Sequence, residues 1–302
     1  MSPRGRLLFL AVSIVWGIPY LLIKVGVDGG IPPVFLAWLR FVLGALILLP
    51  LARRADVVRA VRQRARWLAG FAAVELAVPF PLIAFGEQHI ASSLAAIIIA
   101  ASPLFAVLLA LRLDTGEQAD GRRLAGLVIG LAGVMALVGI DVAGRADELI
   151  GAAAVTAAAL GYAVGAHIFK RHLAGTDARA AMGVSLAFAA CALTPAAIAT
   201  RPAAALATPV ILAVITLGIV CTGAGLTLFG MLIAEAGVGR ALVITYINPI
   251  VALMLGMAML GERPGVGVAA GLPLILLGSW LSTLPDRDRS TSRHVVESAG
   301  SS

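Results

Sequence analysis

Charge is scarce in this chain. Asp, Glu, Lys and Arg supply only 13% of its 302 residues and 60% are hydrophobic, so its apolar runs outgrow any core that a soluble protein of this length could build. Cysteine is nearly missing. Cys191 and Cys221 have neither a CxxC partner nor metal-ligand spacing, which argues against a disulfide framework or a cysteine metal centre and leaves both as small apolar fillers. The chain lacks a GxxxxGK[ST] phosphate loop, so ATP is not the evident energy source, and it lacks the HExxH and GxSxG arrangements of hydrolases. An intramembrane group transferase would need polar residues clustered near one interface, and here they are scattered singly. No enzyme, cofactor or metal is expected. The apolar runs also lack the polar alternation of barrel strands.

What the chain has is long hydrophobic segments. A helix needs about 20 mainly apolar residues, at about 1.5 Å of rise each, to cross the hydrocarbon core. Ten such spans are predicted, over 7–26, 33–52, 67–86, 90–111, 124–140, 149–168, 180–199, 209–232, 239–260 and 265–284. The fold class is therefore an all-α polytopic membrane protein. The first run has no small-residue cleavage site after a short core and reads as a retained span.

The formal charge of +7 and pI near 10.4 could suggest nucleic acid, but the basic residues sit in short loops, where they act as a topology signal. With the N-terminus inside, Arg4, Arg6, Arg53, Arg54, Arg59, Arg62, Arg64, Arg66, Arg112, Arg122, Arg123, Lys170, Arg171, Arg179, Arg240, Arg287, Arg289 and Arg293 are all cytoplasmic. Only Lys24, Arg145, Arg201 and Arg263 face out, and Arg40 lies within span 2. Both termini are expected in the cytoplasm of a cell with this chain in its inner membrane.

The halves repeat. Trp16, Lys24 and Pro103 correspond to Tyr162, Lys170 and Pro249 at an offset of 146. After a one-residue slip, Gly116-Glu117, Gly126 and Gly133 correspond to Gly261-Glu262, Gly271 and Gly278 at 145. Five spans per half make the second copy enter from the opposite face, and equivalent loops exchange charge accordingly. The loop after span 2 carries six arginines and its counterpart Arg201 alone. The expected organisation is two inverted five-helix repeats, residues 7–141 and 149–284, followed by a disordered cytoplasmic tail over 285–302. Inverted repeats recur in secondary transporters, with substrate sites near the bilayer midplane.

Segments WGIPYLLIKVG, IPPVFLAWLRFVLGALIL, SPLFAVLLAL, NPIVALMLGMAMLGERP and GLPLILLGSWL resemble the EamA family of the drug/metabolite transporter superfamily, over residues 7–284. The resemblance implies a ten-helix carrier that moves small metabolites, such as amino acids or their relatives, or drugs. One departure is GEQ in the first half where the second has GERP.

Candidate site residues follow from polar or kinked positions inside spans. Glu75 is a mid-span carboxylate, which costs at least about 2.5 kcal/mol on insertion scales. It reads as a proton-relay or substrate-ammonium site, or as the ion-pair partner of Arg40, about 6 Å away in depth. Arg40 could instead hold a substrate carboxylate through its bidentate fork. Lys24, near the outer end of span 1, is expected to snorkel to the interface. Trp16, Tyr20, Trp38, Tyr162 and Tyr246 could line a cavity and bind an amine, or simply pack; Trp67 and Trp280 read as belt residues. The matched Pro103 and Pro249, preceded by Ser102 and Asn248, are expected to flank a central cavity, because an interior proline frees a carbonyl.

His89, with Glu87 and Gln88, occupies a short outer loop, and His167 a helix end; either histidine could sense protons. The glycine pairs 126/130, 161/165 and 267/271 signal close helix packing first and a homodimer second. The expected activity is alternating-access export of a small amphipathic metabolite by a secondary carrier in contact with the bilayer, with proton coupling through Glu75. The alternative is a receptor or assembly component that kept a carrier fold.

Overall fold

Hydropathy alone dictates most of what the computed structural model contains. It describes residues 2–113, 121–142 and 144–283. Gly116-Glu117, the GEQ departure, the expected tail and Arg287, Arg289 and Arg293 lie outside the described residues. Among the described residues there is helix and no strand.

Among the described residues, nine helices are long and apolar enough to cross a membrane: α1 (Pro3–Asp28), α2 (Pro33–Leu51), α3 (Arg54–Gly86), α4 (Ser92–Arg112), α5 (Gly121–Asp141), α6 (Ala146–Leu173), α7 (Ala178–Ala199), α8 (Thr208–Ala236) and, last among them, α10 (Val266–Thr283). Between the last two lies a shorter apolar helix, α9 (Ile244–Met259). Two expectations need correction. Residues 54–66 are not a loop: their arginines alternate with Val57, Ala60 and Val61, an amphipathic pattern that adds turns to α3 and buries Ala60 and Leu68 against Leu173 and Ala181. The predicted ninth span starts too early, because Gly237, at φ +81, ends α8 and a separate turn over Val238–Ala241 precedes α9.

Proline punctuates the spans in two ways. Pro19, Pro79 and Pro103 each begin the second piece of a broken helix, in the first turn, where the missing N–H had no helical partner. Pro249 and Pro273 lie inside α9 and α10.

Within α3 and α8 the ladder also widens to π-helical over Ala72–Ala77 and Leu217–Ala224. At the 146-residue offset the first segment falls on residues 218–223, inside the second. Such segments occur mostly as local bulges and frequently at functional sites.

Helices α5 and α10 touch backbone to backbone. A Cβ on Gly126 would meet Gly278 O at 2.7 Å, one on Gly133 would meet Gly271 O at 2.9 Å, and one on Gly278 would meet the backbone of Gly130. Gly161 faces Val74 O and Pro79, Gly165 faces Glu75, and Gly267 faces Asp141. These small residues are therefore engaged inside the chain.

At the end of the molecule opposite the N-terminus, two carboxylates cap distant helices. Asp141, ending α5, accepts from Gly267 N and Val268 N, both at 2.8 Å, at the start of α10. Glu262, aimed by Gly261 at φ +66, accepts from Ser92 N and Oγ, both at 2.7 Å, and from Ser93 N at 3.1 Å and Oγ at 2.5 Å, at the start of α4. An anion at a helix N-terminus meets unpaired N–H groups and the positive end of the dipole.

Candidate functional site

Five helices bring a polar group into the apolar interior. Arg40, on α2 and 8% exposed, points its Nε at Thr222 Oγ1 on α8, at 2.8 Å, and lays its guanidinium over the Phe80 ring of α3, 4.5 Å from the centroid. Thr222 in turn donates to Leu217 O, five residues back, at 2.9 Å, a bond suited to the wider π-helical turn. The cation is thus held by one hydroxyl and one aromatic face. The remaining guanidinium N–H groups carry no hydrogen bond among the described residues, and Arg40 is left as a donor fork beside Tyr20 and Tyr162.

Glu75 does not pair with Arg40. It sits in the π-helical segment of α3 against Gly165 of α6, and its Oε2 is buried without a hydrogen-bond partner among the described residues. Only a glycine leaves room there, because a Cβ at residue 165 would fall on the carboxylate. The expected ion pair fails because Arg40 is drawn across to α8.

Tyr162 is an electrostatic neighbour of Glu75, Tyr20 and Arg40 and meets Phe80 edge-on at 6.2 Å. Trp16 donates from Nε1 to Cys221 O at 3.1 Å, and its ring lies 4.7 Å from Phe229. Trp16 and Cys221 are the counterparts of Tyr162 and Glu75 at the 146 offset, so each half sets an aromatic residue of its first helix against the π-helical segment of the other half's third.

The other predicted residues go elsewhere. Trp38 donates to Thr194 Oγ1 at 3.0 Å on α7 and lies tilted against Phe35, with ring centroids 5.6 Å apart. Ser102 donates to Ile99 O at 2.5 Å, bridging the break in α4 at which Pro103 restarts the helix. Asn248, with its amide oriented to donate, reaches Ser13 O at 3.2 Å and Ile244 O at 3.0 Å, tying α9 to α1, and Pro249 is buried. Tyr246 lies in the first turn of α9, and its hydroxyl meets Thr283 Oγ1 at 2.8 Å. Lys24 does not snorkel freely: Nζ donates to Glu87 O at 2.8 Å and pairs with Asp28 at 2.9 Å. Trp67 stacks on His172 at 3.4 Å, with Arg66 over its ring.

Sequence reasoning did not single out Phe80, Thr222 or Glu262. The PFPL motif around Phe80 was the available signal for the first. Glu262 stood out only as the repeat counterpart of Glu117 and Thr222 gave no signal, since their roles depend on partners 170 and 182 residues away.

The EamA-like transporter family matches the chain twice, over residues 3–139 and 149–284. The chain is 27% identical over 292 residues to a protein of Escherichia coli (strain K12) named "Probable amino-acid metabolite efflux pump", covering 93% of this chain and 95% of that one. It is 31% identical over 281 residues to the "Probable terminal-alkyne amino-acid exporter" of Streptantibioticus cattleyicolor, covering 87% and 89%. A solved crystal structure superposes with a TM-score of 0.62 at 21% identity, over 95% of this chain and 99% of that one; it shares the fold.

Proposed function

This chain belongs to the EamA-like transporter family, and from that premise we propose that it is a secondary carrier exporting a small zwitterionic metabolite, an amino acid or a relative, by alternating access. The observation that carries the reading is a guanidinium with open donors and a carboxylate with an open oxygen in one aromatic-lined interior. Arg40 suits a substrate carboxylate, which its fork can engage bidentately. Glu75 suits the ammonium group or, in exchange for it, a proton. Tyr20, Phe80 and Tyr162 offer apolar and cation–π surface to the rest of the molecule. Export is the direction named for the E. coli and S. cattleyicolor relatives.

In this reading residues 7–141 and 149–284 are inverted repeats that rock about the central site, with both termini in the cytoplasm, as the arginine-rich segments favour. The paired π-helical segments of α3 and α8 supply equivalent compliant points in the two halves. The protein works from the inner membrane, energised by exchange with protons through Glu75.

The test is flux in proteoliposomes under an imposed pH gradient, over pooled metabolites, comparing wild type with Glu75→Gln. Gradient-driven flux that the variant loses supports coupling through Glu75. Equal flux in both removes Glu75 from coupling. No substrate-dependent flux across the panel moves the reading to a receptor or assembly component with a carrier fold.

A further inference from the structure

A second buried carboxylate lies outside this central group. Glu87 follows the last residue of α3 and is 0% exposed, and neither of its carboxylate oxygens has a hydrogen-bond partner among the described residues. Its backbone is fully engaged. The N–H donates to Ile83 O at 2.9 Å and the carbonyl accepts Lys24 Nζ at 2.8 Å. Lys24 is committed to that carbonyl and to Asp28 instead of the Glu87 carboxylate.

The groups that face Glu87 come from every side of this end of the molecule: Tyr20, Lys24 and Asp28 from α1, Arg40 from α2, and Glu262 from the turn after α9. On the remaining side, Gly86 packs on the backbone of Gly151 in α6. Burial pushes the Glu87 carboxyl well above the usual carboxylate range; Lys24 and Arg40 pull it down, and Glu262 and Asp28 push it further up. A buried charge with no partner is the arrangement that proteins avoid, so the form that fits this closed end is the neutral acid.

What closes the end is a set of contacts around Glu87: Glu262 on Ser92 and Ser93, Lys24 on the Glu87 carbonyl and Asp28, and the glycine contact with α6. Separating them admits water to the carboxyl and frees Lys24 to pair with it. Both changes favour the carboxylate.

We propose that Glu87 is a second proton-binding site, loaded while the end opposite the N-terminus is closed and discharged when that end opens. The place of this site in a transport cycle rests on the carrier reading above; the proton binding does not. The sign is fixed. A carboxyl held neutral in the closed form favours closure at low pH and loses that preference as pH rises through its folded-state value. On a face bathed by an acidic medium, protons would therefore drive closure.

The test uses the full chain in lipid bilayers and infrared difference spectra across a pH titration. In the Glu75→Gln background, which removes the other buried carboxyl, a carboxylic-acid carbonyl band is expected at neutral pH, fading as pH rises and missing when Glu87→Gln is added; the same band is lost from wild type on Glu87→Gln alone. A Glu87→Gln spectrum that superposes on wild type overturns the proposal. If Glu87→Gln does not fold, Glu87→Asp serves: its band must titrate with a shifted midpoint, and an unshifted band overturns the assignment. In proteoliposomes, Glu87→Gln is expected to lose flux driven by a pH gradient yet keep counterflow at equal pH. Unchanged gradient-driven flux refutes the role in exchange. If no variant or wild type transports, the carrier reading falls and the infrared titration still decides whether Glu87 binds a proton.

Discussion

Removing the Glu262 carboxylate should loosen the closed end by a calculable amount. Its two oxygens accept four bonds, from Ser92 N, Ser92 Oγ, Ser93 N and Ser93 Oγ. Ser92 and Ser93 are 0% and 2% exposed, so water cannot readily replace the lost acceptor. The hydroxyls can rotate to nearby carbonyls, but the two backbone N–H groups cannot. A buried donor left unsatisfied costs about 1–3 kcal/mol, and loss of an anion from a helix N-terminus adds about 0.3–1 kcal/mol. Glu262 is itself only partly buried, which argues for the lower part of the sum.

Glu262→Ala should therefore cost about 3 kcal/mol, and Glu262→Gln, which keeps one acceptor but turns an NH2 toward a donor, about 2 kcal/mol. Ser93→Ala removes one hydroxyl bond and should cost about 1 kcal/mol. The assay is reversible unfolding in mixed micelles, followed by far-UV circular dichroism, for each single variant and for Glu262→Ala with Ser93→Ala. In the double variant the serine change should add almost nothing, giving a coupling energy of about 1 kcal/mol. Single-variant costs that add to within about 0.5 kcal/mol, or a Glu262→Ala cost below that, would refute the reasoning.

Gly278→Ala places a Cβ on the Gly130 backbone and should destabilise by about 2 kcal/mol or more in the same unfolding assay. Gly139→Ala, with nothing within 4 Å, should be silent in comparison. Arg40→Lys keeps the charge but gives up the fork, the Nε bond to Thr222 and the planar face over Phe80. It should raise the substrate KM by about tenfold, or about 1.4 kcal/mol, with less effect on unfolding. Gly165→Ala forces the Glu75 carboxylate from its place and should abolish gradient-driven flux, as Glu75→Gln does. Retained flux in Gly165→Ala would show that Glu75 does not work from the position described.

The spans were legible because a membrane leaves a helix few choices: each backbone polar group must be satisfied internally, and the apolar run needed to do so is long. The charge pattern misled at 54–66, where five arginines suggest a loop although their spacing around Val57 and Ala60 suits a helix face. The central group was half legible. Arg40, Glu75, Tyr20 and Tyr162 stand out as polar or aromatic residues inside apolar runs, and four of the five helices that carry the group could be named from them. Their pairing was not legible, because it turns on the rotation of α2 toward α8 and on a π-helical turn that adds no residue type a pattern could flag. Glu87 resembled an ordinary loop carboxylate until the packing of α1, α4 and the turn at Gly261 covered it.

The glycine seam of α5 and α10 has a consequence for assembly and descent. Gly126 meets Gly278 and Gly133 meets Gly271, while at the 145-residue offset Gly126 is the counterpart of Gly271 and Gly133 of Gly278. The first residue of each half thus touches the second of the other, which is the reciprocal pattern of an isologous contact between identical subunits. A chain of half this length already holds everything needed to form that seam with a copy of itself, and joining two such genes end to end would have required no new interface at this position.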